Sequence, residues 1–199
     1  MSDWKGNQRA ILRHVALARK FRWRQHLDVR SFFASIDVDL SMEMVAGKVK
    51  DARFLALLGR ILDGGLRVYQ HPAALRYLKL SPDRKPRLGL PIGNLTSQLL
   101  ANAYLDGADH FVKRELEVPG YLRYMDDLTL FGDDAKLLER QARQLCAWLR
   151  EHRRIELRAA SHLRPTSEPT TYLRGWAETF FQKESGTAKP KSSATPQPQ

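Results

Sequence analysis

Two adjacent acids, Asp126 and Asp127, lie inside an otherwise apolar run, LRYMDDLTLF at residues 122–131. A carboxylate buried without a partner is costly, and two neighbouring carboxylates also repel each other. Asp is common in β-turns, so a turn is the ordinary explanation of a bare Asp pair. The flanking runs 121–125 and 128–131 are β-prone, which predicts a tight hairpin with both acids at its tip.

A third acid, Asp28, ends a short strand predicted over residues 23–29, WRQHLDV. If this strand lies next to the hairpin, three carboxylates gather at one edge of a sheet. Carboxylate oxygens suit Mg²⁺, with Mn²⁺ as a substitute, and coordination would offset their mutual repulsion. Two such ions could activate an attacking hydroxyl and stabilise a leaving pyrophosphate. We therefore expect Asp28, Asp126 and Asp127 to be catalytic metal ligands.

The composition points to a polyanionic partner. The 199-residue chain carries a net charge of +11, which favours nucleic acid, although a solvated basic surface would give the same excess. One cysteine excludes an intrachain disulfide and fits a cytoplasmic protein. No apolar run approaches the roughly 20 residues that span a membrane. Zinc-ligand spacing and a phosphate-binding G-x-x-x-x-G-K-[ST] loop are also missing from the sequence.

The hydrophobic patterns predict an α+β fold. Residues 64–92 read as an irregular loop or hairpin, and IELRA and TTYLRGW as terminal strands. Amphipathic patterns and caps predict helices over residues 8–20, from Ser41, over 51–63, over 94–116 and over 134–150.

Three motifs resemble reverse transcriptases. YMDD at Tyr124–Asp127 resembles their polymerase core motif. HLDVRSFFASID resembles their first catalytic strand, in which LD is followed five positions later by Phe or Tyr, here Phe33. GLPIGNLTSQLLANAYLDGADHFVK, residues 89–113, resembles the loop and helix beneath the primer–template. The order and spacing of all three together are specific, whereas any one of them alone is weak.

Within that family, the chain is most similar to the reverse transcriptases of diversity-generating retroelements. An aliphatic Ile92 precedes Gly93, and Ser97-Gln98 follows, where retroviral and group II intron enzymes carry Gln and Ser-Pro. The resemblance implies an error-prone RNA-directed DNA polymerase, whose partners are template RNA, a primer strand and dNTPs, with an accessory protein as a further partner. Retron-like and group II intron-type enzymes are relatives that fit less well.

The resemblance also implies a domain organisation. It predicts a polymerase palm, in which an antiparallel sheet carries the catalytic hairpin and helices back it, with partial fingers and no full thumb. The expected boundaries are 1–22 for a fingers remnant or basic helix, 23–181 for the palm and 182–199 for a disordered tail. The family's lysine after the amphipathic helix is replaced by Ser161 or His162, and its primer grip is reduced to YLRGW. Because substrate grip is incomplete, we expect this apparently truncated chain to bind metal and nucleic acid better than it extends a primer.

The resemblance assigns roles to further residues. Val29 would offer its carbonyl to the metals, with Asp28 and Asp126 as ligands and Asp127 in support. Phe33 would lie beneath the sugar and exclude a 2′-hydroxyl, unless it is simply a core residue. The remaining substrate contacts, with packing or capping as the alternative for some, are Ile92, Gly93, Gln98, Tyr124 and Met125.

A basic stretch with interleaved aromatic residues precedes the first strand. Its members are Arg19, Lys20, Arg22 and Arg24. They would neutralise phosphates, or else form a solvated helix face. Two other functions stay open: a catalytically incomplete, palm-shaped nucleic-acid-binding fragment, and an RNA-templated RNA polymerase, against which Phe33 argues.

Overall fold

A computed structural model describes residues 7–78, 80, 81, 87–157 and 163–168 of the chain. They form an α+β fold in which helices surround a four-stranded antiparallel sheet. The helices are α1 (Asn7–Lys20), α2 (Phe32–Ser35), α3 (Val38–Lys48), α4 (Ala52–Leu66), α5 (Pro72–Tyr77), α6 (Leu95–His110) and α7 (Ala135–Arg153). The strands are β1 (Trp23–Asp28), β2 (Gly120–Tyr124), β3 (Asp127–Gly132) and β4 (Leu163–Pro165).

The sheet has the strand order β2-β3-β1-β4, so the strand that ends in Asp28 is central. β2 and β3 form a hairpin, and β3 pairs with β1 along its whole length, from Trp23 opposite Gly132 to Asp28 opposite Asp127. The prediction that the Asp28 strand lies beside the YMDD hairpin is therefore confirmed.

One face of the sheet forms the main core. Side chains alternate between the two faces of a strand, so Leu27 of β1 shares its face with Leu128 and Leu130 of β3. All three are fully buried, and α7 packs against these two strands with Leu145 and Leu149. Burial of each such side chain contributes about 2 kcal/mol.

The opposite face is covered by α1 at one end. Leu17 of α1 and the following Phe21 pack on Phe131 of β3 in a small separate cluster. Gly120 of β2 permits this close approach, since a Cβ there would lie 2.6 Å from the Phe21 ring. The other end of this face carries Asp28 and Asp127.

Helix α3 begins earlier than predicted, and its cap is Asp37 rather than Ser41. The Asp37 carboxylate accepts hydrogen bonds from the N–H groups of Asp39 and Leu40, while Ser41 is buried inside the helix. Burial would raise the pKa of Asp37, but these bonds and the Arg154 guanidinium, 2.6 Å away, hold that pKa below its usual value.

The prediction of an irregular segment over 64–92 is wrong in its first half. Helix α4 continues to Leu66, a 3₁₀ turn follows over Arg67–Gln70, and α5 covers Pro72–Tyr77. Leu62 and Leu66 are buried in the main core, and Tyr69 is also buried, with its Oη donating to the Leu90 carbonyl oxygen at 2.7 Å. That burial outweighs the low helix propensity of Gly64 and Gly65.

Of the two predicted C-terminal strands, the structure describes only part of the first. Of IELRA, Leu157 makes an isolated bridge with Val29, whereas residues 158–160 lie outside the described part. The strand that pairs with β1 is instead β4, at Leu163–Pro165. TTYLRGW, Ser161, His162 and the 182–199 tail also lie outside it. Among the described helices, none combines the length and the apolar character needed to cross a bilayer.

Candidate functional site

Asp28 and Asp127 face each other across the β1–β3 pair. They are direct cross-strand partners, so their side chains project from the same face of the sheet. Directly opposed residues have Cβ atoms about 5 Å apart, and like charges in this position destabilise a sheet. The end of β1 and the start of β3 thus hold two half-buried carboxylates side by side.

The hairpin turn consists of Met125 and Asp126. Asp127 is the first residue of β3 rather than part of the tip, so the prediction that both acids occupy the tip is wrong for Asp127. Met125 adopts a left-handed conformation with φ of 55°. This conformation costs a non-glycine residue roughly 1 kcal/mol, and such strain is concentrated at functional sites.

His26 lies on the same face as the two facing acids. Its Nε2 is 3.5 Å from Asp127 Oδ1, and its Nδ1 is 3.4 Å from Thr129 Oγ1. Burial lowers the pKa of His26 below its usual value, against the opposing effect of Asp28 and with help from Arg24. The imidazole is therefore mainly neutral at neutral pH and supplies no fixed positive charge to the acids.

The donor chemistry at this sheet edge partly fits a divalent cation. Asp28 and Asp127 offer hard oxygen ligands side by side, which Mg²⁺ prefers. Within the described ranges, however, no three His, Cys, Asp or Glu side chains are arranged to share a metal ion. Asp126 is adjacent in the turn, and Val29, the predicted carbonyl ligand, is buried next to Asp28. Asp28 and Asp127 already lie side by side, and a third ligand would have to move towards them to complete a metal site.

Phe33 is joined to the loop that precedes α6. It is half-buried in α2, its ring meets Phe32 edge-on at 5.7 Å, and its carbonyl accepts a hydrogen bond from Leu90 N–H at 2.8 Å. Ile92, two residues after Leu90, is 63% exposed. The predicted sugar-contacting residue and the predicted base-pair-contacting loop are thus held together by the backbone.

The other predicted substrate residues occupy exposed or half-exposed positions. Gly93 has a positive φ of 83°, and Gln98 lies exposed in the first turns of α6. Gln98 is not the cap of this helix, because the Asn94 carboxamide accepts from Thr96 N–H. Tyr124 is half-buried opposite Asp127, and Met125 is 40% exposed in the turn.

The basic stretch is divided by the fold. Arg19, Lys20 and Arg22 are exposed at the end of α1 and just after it. Arg24 is buried in β1, and its Nη1 donates to the carbonyl oxygens of Thr166 and Glu168 at 3.3 and 2.9 Å. Arg24 therefore does not belong to the exposed basic stretch, since its guanidinium holds the chain that follows β4.

Sequence reasoning missed Arg123, which links the hairpin to α6. Its guanidinium bonds Asp109 through Nε and Nη2, at 2.8 to 3.0 Å. Its Nη1 donates at 3.0 Å both to Asn102 Oδ1 and to the carbonyl oxygen of Met125. The sequence does place Asn102 and Asp109 seven residues apart on one face of the predicted helix. This pattern is too common to predict that Arg123 binds there.

Comparisons with known proteins return one curated relative. The chain is 30% identical over 91 residues to an uncharacterized 91 kDa protein in the cob intron of Schizosaccharomyces pombe. The match covers 46% of this chain and 10% of that protein. No protein-family profile matches the chain. The similarity therefore connects part of this α+β fold with a protein encoded in an intron, and the chain spans about a tenth of that relative.

Proposed function

We propose that this chain carries the nucleotidyl-transfer centre of an RNA-directed DNA polymerase. The observation that carries the proposal is the direct pairing of Asp28 with Asp127, next to Asp126 in the hairpin turn. Two carboxylates held side by side offer the hard oxygen ligands that a divalent cation prefers, which supports a metal site at this position. The palm-like arrangement, a central strand beside a catalytic hairpin, is the one that the reverse transcriptase resemblance implies.

Each of the predicted site residues has a separate role in the proposed reaction. Asp28, Asp126 and Asp127 would hold two Mg²⁺ ions, which would lower the pKa of the primer 3′-hydroxyl and stabilise the leaving pyrophosphate. Phe33 would lie beneath the deoxyribose of the incoming dNTP. Arg19, Lys20 and Arg22 would bind backbone phosphates, which predicts salt-dependent binding to template and primer.

The retroelement type is a finer proposal. The relative is an uncharacterized protein in an intron, which fits an intron-type reverse transcriptase, and it adds nothing specific to diversity-generating retroelements. Exposed Ile92 is the feature that favours the error-prone type, because an aliphatic side chain cannot hydrogen-bond to a base pair. Replacing Ile92 with Gln should lower the error rate of cDNA, measured by sequencing; an unchanged rate would remove this assignment.

Primer extension tests the proposed activity. The assay uses excess protein, a labelled DNA primer on an RNA template, and dNTPs with Mg²⁺ or Mn²⁺. We expect slow, cation-dependent incorporation, and a loss of at least about 100-fold in Asp126→Asn, since loss of a direct ligand should cost more than loss of an outer partner. Asp133→Asn is the matched control, because this acid lies just beyond the other end of β3.

A second candidate function is a non-catalytic nucleic-acid-binding module. It is favoured by the lack of a preassembled three-ligand group among the described residues. In that case the wild-type chain would bind the RNA–DNA duplex but incorporate no nucleotide with either cation. Asp126→Asn would then bind the duplex at least as tightly as the wild type, because a negative charge near phosphates is removed.

A further inference from the structure

Arg123 holds the Asp126 turn against α6. Asn102 and Asp109 are seven residues apart on this helix, about two turns, so both side chains point to the same side. The Arg123 side chain lies against both of them and also reaches the backbone of the turn at Met125. One guanidinium thereby joins the hairpin tip to a core helix.

The contact is specific to arginine. Its Asp109 end is partly buried, whereas the bonds to Asn102 and to the Met125 carbonyl are exposed. The Arg123 and Asp109 side chains are only 14% and 19% exposed, and Tyr121 Oη also donates to Asp109 at 2.6 Å. A guanidinium presents several N–H donors in a fixed plane, whereas a lysine ammonium is a single point of charge. A lysine has a single nitrogen, so if that nitrogen pairs with Asp109, the bonds that Nη1 of Arg123 makes to the Met125 carbonyl and to Asn102 are lost.

The turn needs such an anchor because its backbone is strained. Met125 is held in the left-handed region, and a strained residue persists only where its surroundings fix it. We propose that Arg123 is the positioning residue of this turn: through the Met125 carbonyl it fixes the direction in which Asp126 points. This role rests on the proposed nucleotidyl transfer. It adds to that proposal a residue that lies outside the acidic motif.

Single-turnover primer extension and hydrogen exchange test the proposal on the full chain. The variants are Arg123→Ala and Arg123→Lys. The control is Arg154→Ala, which removes the ion-pair partner of another buried acid, Asp37, far along the chain from the turn. We expect Arg123→Ala to lower the maximal incorporation rate about 10- to 100-fold, the range for a small misplacement, with dNTP affinity nearly unchanged. Arg123→Lys should keep the wild-type melting temperature and still be slow.

Hydrogen exchange of residues 124–131 provides the readout that does not need activity. It should be faster in both Arg123 variants and unchanged in Arg154→Ala. A wild-type incorporation rate in Arg123→Ala, or a loss of the same size in the control, would overturn the positioning role. If the wild-type chain incorporates no nucleotide, the proposed function fails, and exchange alone then decides: unchanged exchange in both Arg123 variants would overturn the anchoring as well.

Discussion

The two ends of one sheet face have opposite character. At one end, Phe131 of β3 is fully buried beneath α1, against Leu17 and Phe21. At the other end of the same strand, Asp127 is 30% exposed and faces Asp28. The strands are continuous between them, and among the described helices α1 covers only the apolar end, which accounts for the difference.

The two ends of this face are therefore expected to differ in what they contribute to stability. The covered end gains free energy from apolar burial, while the acidic end loses some through charge repulsion. The open end is therefore the part of the face where we expect ligand binding, and the covered end the part that keeps β1 and β3 in register.

Truncation of Phe131 should give the largest change in stability. Phe131→Ala is expected to lower the free energy of unfolding by about 3–5 kcal/mol, because a fully buried ring leaves a cavity. Tyr124→Ala is the matched control, since this ring lies on the same face at the open end and is only half-buried. Urea denaturation measures both; equal losses would contradict the division of the face.

Acid should weaken the covered end through His14. This residue of α1 is buried against the Phe131 ring, and burial lowers the pKa of His14 to about 4, with smaller effects from Arg24 and His26. Because the unfolded chain takes up the proton below about pH 6.5 and the folded chain does not, stability is complete above pH 6.5 and falls towards pH 4. The loss from His14 amounts to about 3 kcal/mol.

The His14 effect is measured by comparing unfolding free energies at several pH values. In His14→Leu the free energy of unfolding should decline between pH 6.5 and 4 by about 3 kcal/mol less than in the wild type. Exposed His110 provides the control, and His110→Leu should follow the wild type. Parallel curves for His14→Leu and the wild type would show that this histidine is not kept neutral by the fold.

Neutralising one acid at the acidic end should change the free energy of unfolding least, and it should raise that free energy rather than lower it. Asp127→Asn removes a like charge opposite Asp28 and is expected to stabilise the fold by about 0.5 kcal/mol in the absence of divalent cations. Asp133→Asn should change little, because asparagine can still accept the hydrogen bond from Arg22 N–H. Clear destabilisation by Asp127→Asn would mean that the carboxylate serves the fold rather than a ligand.

Local signals in the sequence predict much of the architecture. Helices α6 and α7 are capped by Asn94 and Asp134, whose side chains accept hydrogen bonds from the N–H groups of Thr96 and Leu137. The two β-prone runs around the Asp pair predict the hairpin. These features depend on a few adjacent residues, which is why a single sequence reveals them.

The missed features depend on contacts between distant segments. β4 is three residues long and exists through pairing with β1, and Arg24 is buried because the chain after β4 accepts its hydrogen bonds. The Arg123–Asp109 pair also links residues that no local rule connects. Helix α5 is different, since His71 caps it and Pro72 occupies its first turn, and that signal was present in the sequence.

Mn²⁺ binding measures whether Asp28 and Asp127 share one metal site. Electron paramagnetic resonance titration of the wild-type chain should show bound Mn²⁺, and Asp28→Asn and Asp127→Asn should each weaken the binding about 10-fold or more, because each removes a ligand from one shared site. Asp133→Asn should bind as the wild type does. Equal Mn²⁺ affinity in the wild type, Asp28→Asn and Asp127→Asn would contradict the account.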